Sequence, residues 1–229
     1  MNLIDQLLWV VFPYICIALF IFGHIYRYRV DKFHWTAKSS EFIEKKQLMV
    51  GSLLFHLGII PVIFGHVAGL AIPISWMRAL GVDDHLYHLG AIYIGGFFGV
   101  VTLAGMLILT FRRFSLKSVR QLSSFSDLAV NSLLLFIVFI GVYATFFTNA
   151  ANPDFDYRMT ISVWFRELFY FSPNAALMTN VPLSFQIHVL TGFAIFAFWP
   201  FTRLVHVWSV PLIYVGRSYI LYRRHKPTN

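Results

Sequence analysis

Phe55-His56-Leu57-Gly58-Ile59-Ile60-Pro61-Val62-Ile63-Phe64-Gly65-His66 lies inside an apolar run from about residue 48 to residue 72. A run of that length crosses a bilayer as a helix. After Lys46 it holds no Asp, Glu, Lys or Arg, yet it holds two histidines. Ionisable groups at membrane depth are costly and mark functional sites. The ten-residue step from His56 to His66 corresponds to ~15 Å of rise and ~280° of rotation on a helix. The two imidazoles therefore sit at different depths and cannot share one small ligand. Each needs its own partner elsewhere in the chain.

The surrounding composition is that of a membrane protein. Of 229 residues, 58% are hydrophobic and 12% charged, against about 25% charged in soluble domains. The apolar blocks are uniform and do not alternate, which disfavours a β-barrel. Cys16 is the single cysteine, so neither an intrachain disulfide nor a cysteine-built zinc or iron–sulfur site is available. The formal charge of +8 reads as topogenic and does not imply nucleic acid. The first span begins near Met1 without a basic leader or a small-residue cleavage site, and reads as a retained helix.

The predicted fold is an all-α transmembrane five-helix bundle forming a single domain over 1–229. Its spans lie at about 4–26, 48–72, 89–111, 128–147 and 183–205. Basic residues gather in the first connection (Arg27, Arg29, Lys45, Lys46 among them), in the third (Arg112, Arg113, Lys117, Arg120) and after Arg203. The opposite side has Arg78, Arg158 and Arg166 among five acids. The positive-inside rule then places the N-terminus outside and the C-terminus in the cytoplasm. For residues 161–171 two readings stand open: a helix lying flat at the outer interface, or a loop with aromatic anchors.

The fifth span supplies His188 and His206, eighteen residues apart, which is five turns of a straight helix and one face. The second span runs outward and the fifth inward. His66 is thereby expected to meet His188 near the outer face, and His56 to meet His206 near the inner face. The rises differ, ~15 Å against ~27 Å, and a kink at Pro200 is expected to shorten the second. Haem iron takes one imidazole on each side of its ring, so two bis-histidine haems account for four buried histidines. Such iron passes electrons, and two stations make a wire across the bilayer. Gly51, Gly58 and Gly65 recur every seven residues. They predict a smooth strip that admits either a neighbouring helix or a flat macrocycle, and Gly95, Gly96 and Gly99 suggest the same on the third span. Arg112, Arg113 and Arg203 are candidate donors to the inner haem's propionates, or serve topology alone. Acids are absent from the span interiors, which argues against the rival class, a histidine-lined transporter.

Three motifs carry a resemblance over nearly the whole length: Trp35-Thr36-Ala37-Lys38-Ser39-Ser40, the Phe55–Gly58 and Gly65-His66 elements, and Arg203-Leu204-Val205-His206-Val207-Trp208-Ser209-Val210-Pro211. The chain resembles the cytochrome b (gamma) subunit of membrane-bound respiratory nitrate reductases of prokaryotic cell membranes. The resemblance implies two haem b groups on the four histidines. It also implies quinol oxidation at the outer haem and electron delivery to a cytoplasmic iron–sulfur (beta) subunit that feeds a molybdenum (alpha) subunit. A variant keeps the wire and serves another molybdenum or sulfur-metabolising enzyme. That family places a lysine near the quinol, at the start of the third span. Here no lysine occurs between Lys46 and Lys117, and Leu89 takes that place. The expected quinol pocket is therefore Gly65, His66 and His88, with His85 and Tyr87 as other candidate donors.

Overall fold

The computed structural model of this protein describes residues 2–31, 43–152 and 154–209. The motif at 35–40, His34, His225 and the basic residues from Arg217 onward lie outside these. Among the described residues five helices are long and apolar enough to cross a membrane: Leu3–Val30, Lys46–Ala71, Asp84–Ser115, Phe125–Ala151 and Leu183–Phe201. The chain is thus a multi-pass membrane protein, with spans that run a few residues beyond most of those read from hydropathy. Side chains start the helices. Asp83 accepts from the Leu86 N–H at 2.7 Å, and Ser124 and Asp127 form a reciprocal capping box. The Glu44 carboxylate takes the N–H groups of Gln47 and Leu48 at 2.8 and 3.3 Å.

The second and third spans make the most extensive contact in the bundle. Glycine explains how close they come. A methyl group on Gly58 would collide with Thr102, and one on Gly105 with the Phe55 backbone; Gly51 is closed by Ile108 and Leu109. Of the two readings left open for the glycine repeat, helix packing therefore holds at two of its three steps. Of these three only Gly65 leaves the missing side chain facing open space, as Gly95 does on the third span. Gly96 and Gly99 likewise meet Phe146 and Val142 of the fourth span.

At the His66 end residues Ile161–Phe169 of the connection before the fifth span form a short helix and not a loop. Its Ile161, Trp164 and Leu168 are buried at helical spacing, in a cluster with Trp9, Met178 and Phe193. The Trp164 indole donates to the Trp9 carbonyl at 2.9 Å. Ser162 and Arg166 donate to the carbonyls of Gly69 and Leu70 at 2.7 and 3.0 Å. Those carbonyls close the second span, where the helix has run out of amide donors of its own.

The fifth span corrects one expectation. Its regular helix is Leu183–Phe198 and does not continue to 205. A 3-10 turn, Trp199–Phe201, follows around Pro200, whose ring nitrogen has no hydrogen to donate. Thr202 is extended (φ −120°, ψ 179°), and a second 3-10 segment, Arg203–Ser209, carries His206. His188 and His206 therefore do not share one face of one helix. Arg27 of the first span bonds the two carbonyls at the break, Pro200 at 2.6 Å and Thr202 at 2.9 Å.

Candidate functional site: two facing imidazole pairs

The four histidines form two pairs. His66 and His188 have ring centroids 5.9 Å apart with planes inclined at 30°. His56 and His206 are 6.4 Å apart at 75°. Both second-span histidines point their Nδ1 at the carbonyl four residues earlier, His56 at Ser52 and His66 at Val62, each at 2.7 Å. His206 Nδ1 lies 2.6 Å from the Arg203 carbonyl. His188 Nδ1 reaches across to the Ile137 carbonyl of the fourth span at 3.1 Å. A carbonyl only accepts, so all four rings donate from Nδ1. That sets a single tautomer and leaves the Nε2 lone pair for a metal.

The chemistry of this donor set is selective. Among the described residues no three His, Cys, Asp or Glu side chains group together as a metal site. A bare zinc ion wants four ligands. Haem iron brings four from its macrocycle and asks the protein for axial ligands only. Two metal–nitrogen bonds of about 2.0–2.1 Å, with a ring nitrogen about 1.1 Å from its centroid, require centroids about 6.3 Å apart. Both observed separations lie close to that value. The four histidines thus fit two haem groups, at depths separated by ~15 Å of helix.

Gly141 admits the His188 ring. A Cβ there would lie 2.8 Å from Cε1 and 3.2 Å from Nδ1 of that imidazole. Sequence reading passed over this residue, since one glycine in an apolar run carries no signal until a ring is set against it. At the His56 end, Arg203 forms a two-point pair with Asp127, at 2.5 and 2.6 Å. Arg112 pairs with Glu44 at 2.8 Å and also donates to its carbonyl. Arg113 bonds Ser123 at 3.3 Å. The arginines singled out in the sequence thus have protein partners.

At the other end Gly65 and His66 are exposed side by side. His88 is exposed on the first turns of the third span, and no hydrogen bond or ring contact joins it to His66 among the described residues. Tyr87 is engaged instead, its hydroxyl 2.9 Å from that of Tyr157.

Known proteins resemble this chain over nearly its whole length. The chain matches the nitrate reductase gamma subunit family over residues 5–225. The nitrate reductase gamma chain of Bacillus subtilis is 50% identical over 219 residues, covering 96% of this chain and 98% of that one. The respiratory nitrate reductase 2 gamma chain of Escherichia coli is 36% identical over 217 residues, 94% of this chain and 95% of that one. The nitrate reductase-like protein NarX of Mycobacterium tuberculosis is 41% identical over 223 residues, which are 97% of this chain and 34% of that longer protein. With the match running from the first span to beyond His206, this chain belongs to the nitrate reductase gamma subunit family.

Proposed function

We propose that this chain is the haem-carrying, quinol-oxidising membrane subunit of a respiratory nitrate reductase in a prokaryotic cell membrane. The observation that carries the reading is the pair of facing imidazoles at each end, every ring held through Nδ1. Haem, when bound, supplies a one-electron iron couple. His66 and His188 would hold the outer group, and His56 and His206 the inner one. The basic residues support an N-terminus outside and a C-terminus in the cytoplasm. The inner end then faces an iron–sulfur subunit and, beyond it, a molybdenum subunit that reduces nitrate. Quinol would approach His66 beside the open face of Gly65, with His88 as a nearby polar group. Its protons would leave on the outer side, which makes the reaction electrogenic. Arg112 and Arg203 would serve the inner propionates while shared with Glu44 and Asp127.

A reduced-minus-oxidised optical spectrum of the purified complex tests this. Two b-type contributions are expected. His66→Ala or His188→Ala should remove one, and His56→Ala or His206→Ala the other. A chain without b-type bands would end the reading and favour the histidine-lined transporter. Reduced haem that nitrate fails to reoxidise would move the wire to a different terminal enzyme.

A further inference from the structure

One group of side chains at the His66 end takes no part in the imidazole pairs, although Tyr157 and Phe185 also pack against the apolar cluster. Tyr87 and Tyr157 come from the third span and from the connection before the fifth. Their hydroxyls are 2.9 Å apart. Both rest on Gly69, where a Cβ would lie 2.7 Å from one hydroxyl and 2.9 Å from the other. Gly69 stands three residues beyond His66. Tyr157 also stacks on Phe185, centroids 6.5 Å apart, and Phe185 stands three residues before His188. The hydroxyl pair is therefore about one helical turn beyond each histidine of this pair.

On its far side the tyrosine pair meets charge. The Arg158 guanidinium lies 4.5 Å from the centre of the Tyr87 ring. Arg158 is itself buried and holds Asp156 at 2.7 Å and Asp84 at 3.4 Å. Asp84 also takes Arg78 at 2.5 Å and is 47% exposed. The charged cluster that touches the face of the Tyr87 ring thus reaches the aqueous surface at Asp84. Burial, reinforced by Tyr87, pushes the Tyr157 hydroxyl far above its ordinary value, so it stays protonated.

The helices bend their own rules at this end. Four spans each contain one π turn: Leu7–Val11, Val67–Ala71, Ala91–Gly95 and Ala144–Thr148. In an up-and-down bundle all four fall at the His66 end. π turns concentrate at functional sites. Gly69 lies within the second of them, and Tyr87 one turn before the third.

We propose that the Tyr87–Tyr157 hydroxyl pair is the proton outlet of the quinol-oxidising end, releasing protons to surface water beside the Asp84–Asp156–Arg158 cluster. The inference rests on the quinol reading above. Each quinol that yields two electrons to the wire also yields two protons. For each one, a phenol oxygen accepts the incoming proton as its own O–H proton passes to the second phenol oxygen. The proton of that second hydroxyl leaves to surface water beside Asp84 and Asp156. No tyrosinate and no radical forms, and rotation of the two hydroxyls resets the pair.

The test uses the complete membrane complex and Tyr87→Phe and Tyr157→Phe, which keep both rings and remove one hydroxyl each. A short-chain naphthoquinol or benzoquinol is mixed with the oxidised complex, and haem reduction is followed by stopped flow in H2O and D2O. Both variants should keep the full haem spectrum and its reduction by dithionite. Their quinol-driven reduction should slow by about ten-fold or more, with a larger solvent isotope effect. Wild-type rates and isotope effects in both variants would overturn the outlet alone. Loss of a b-type band in either would assign the hydroxyls to structure and overturn it too. Wild-type haems that no quinol reduces would sink the quinol reading, and the outlet with it.

Discussion

The two imidazole pairs do the same geometric job with different materials. At the His66 end both histidines lie within α-helix, His66 as the last residue before a π turn, and a cluster of aromatic and aliphatic side chains around Trp9, Trp164 and Phe193 packs at this end. His188 is located by what its ring touches, Gly141 on one side and the Ile137 carbonyl at one nitrogen. At the His56 end His206 sits on a 3-10 segment beyond a broken helix. It is located by charge: Arg27 on the carbonyls of the break, Arg203 on Asp127, Arg112 on Glu44. Shape suffices where both histidines stay on α-helix. Where Pro200 and Thr202 have released backbone carbonyls, ionic hydrogen bonds must recapture them. The first end should be sensitive to volume and the second to charge.

The largest expected break in that contrast is at Gly141. Gly141→Ala places a methyl 2.8 Å from the His188 ring, and overpacking of this kind costs about 1–3 kcal/mol. The ring must turn, which also strains its bond to Ile137. On the two-haem proposal, most of the b-type signal assigned to His66 and His188 should disappear from the optical spectrum, while the signal assigned to the other pair is retained. Equal loss of both would mean that the two ends are not independent.

Charge at the opposite end gives the next effect. Asp127 is 4% exposed and Arg203 about a quarter exposed. Asp127→Asn keeps the shape and part of the hydrogen bonding but leaves the guanidinium half paired. Removing one partner of such a pair costs about 1–3 kcal/mol once its partial solvation is allowed for. The expected readout is a lower melting temperature of the complex and a shifted spectrum for the His56–His206 station alone. A change confined to the other station would reverse the assignment of forces made here.

Much of this was legible in the chain. Histidines inside apolar runs stand out, and an antiparallel order of spans decides that His66 meets His188 and His56 meets His206. The seven-residue glycine repeat was visible, but helix contact and room for a flat ring call for the same spacing. Only the positions of Thr102 and Phe55 separate the two. Pro200 announced a kink, yet the extended Thr202 that turns the chain depends on Arg27 from 173 residues earlier than Pro200. The Ile161–Phe169 helix has four buried positions in nine residues, too few turns for periodicity to tell it from an anchored loop. Tyr157 sits between Asp156 and Arg158 in a connection, where no pattern in the sequence marks a residue as touching Gly69.

The smallest effect sharpens the comparison through pH. The Gln47 amide, followed by Arg112, holds the Glu44 carboxyl below the ordinary glutamate range. A carboxyl whose value is lowered on folding stabilises the fold at pH above its unfolded value, about 4.3. That contribution fades as pH falls through the lowered folded value, because the native state must then give up a favourable charge to bind a proton. Glu44 also starts the second span, so its protonation frees the amides of Gln47 and Leu48 together with Arg112. Thermal melts of wild-type complex and Glu44→Gln between pH 7 and pH 4 should converge as the pH falls, with the wild-type more stable at neutral pH. High salt should narrow the gap at neutral pH, since Glu44 is partly exposed and its attraction to Arg112 is screened. At the His66 end no carboxylate plays this part among the residues packed around Trp164, so Trp164→Phe should change stability by the same amount at both pH values. A pH-dependent penalty there would show that charge, and not packing alone, also secures the first pair.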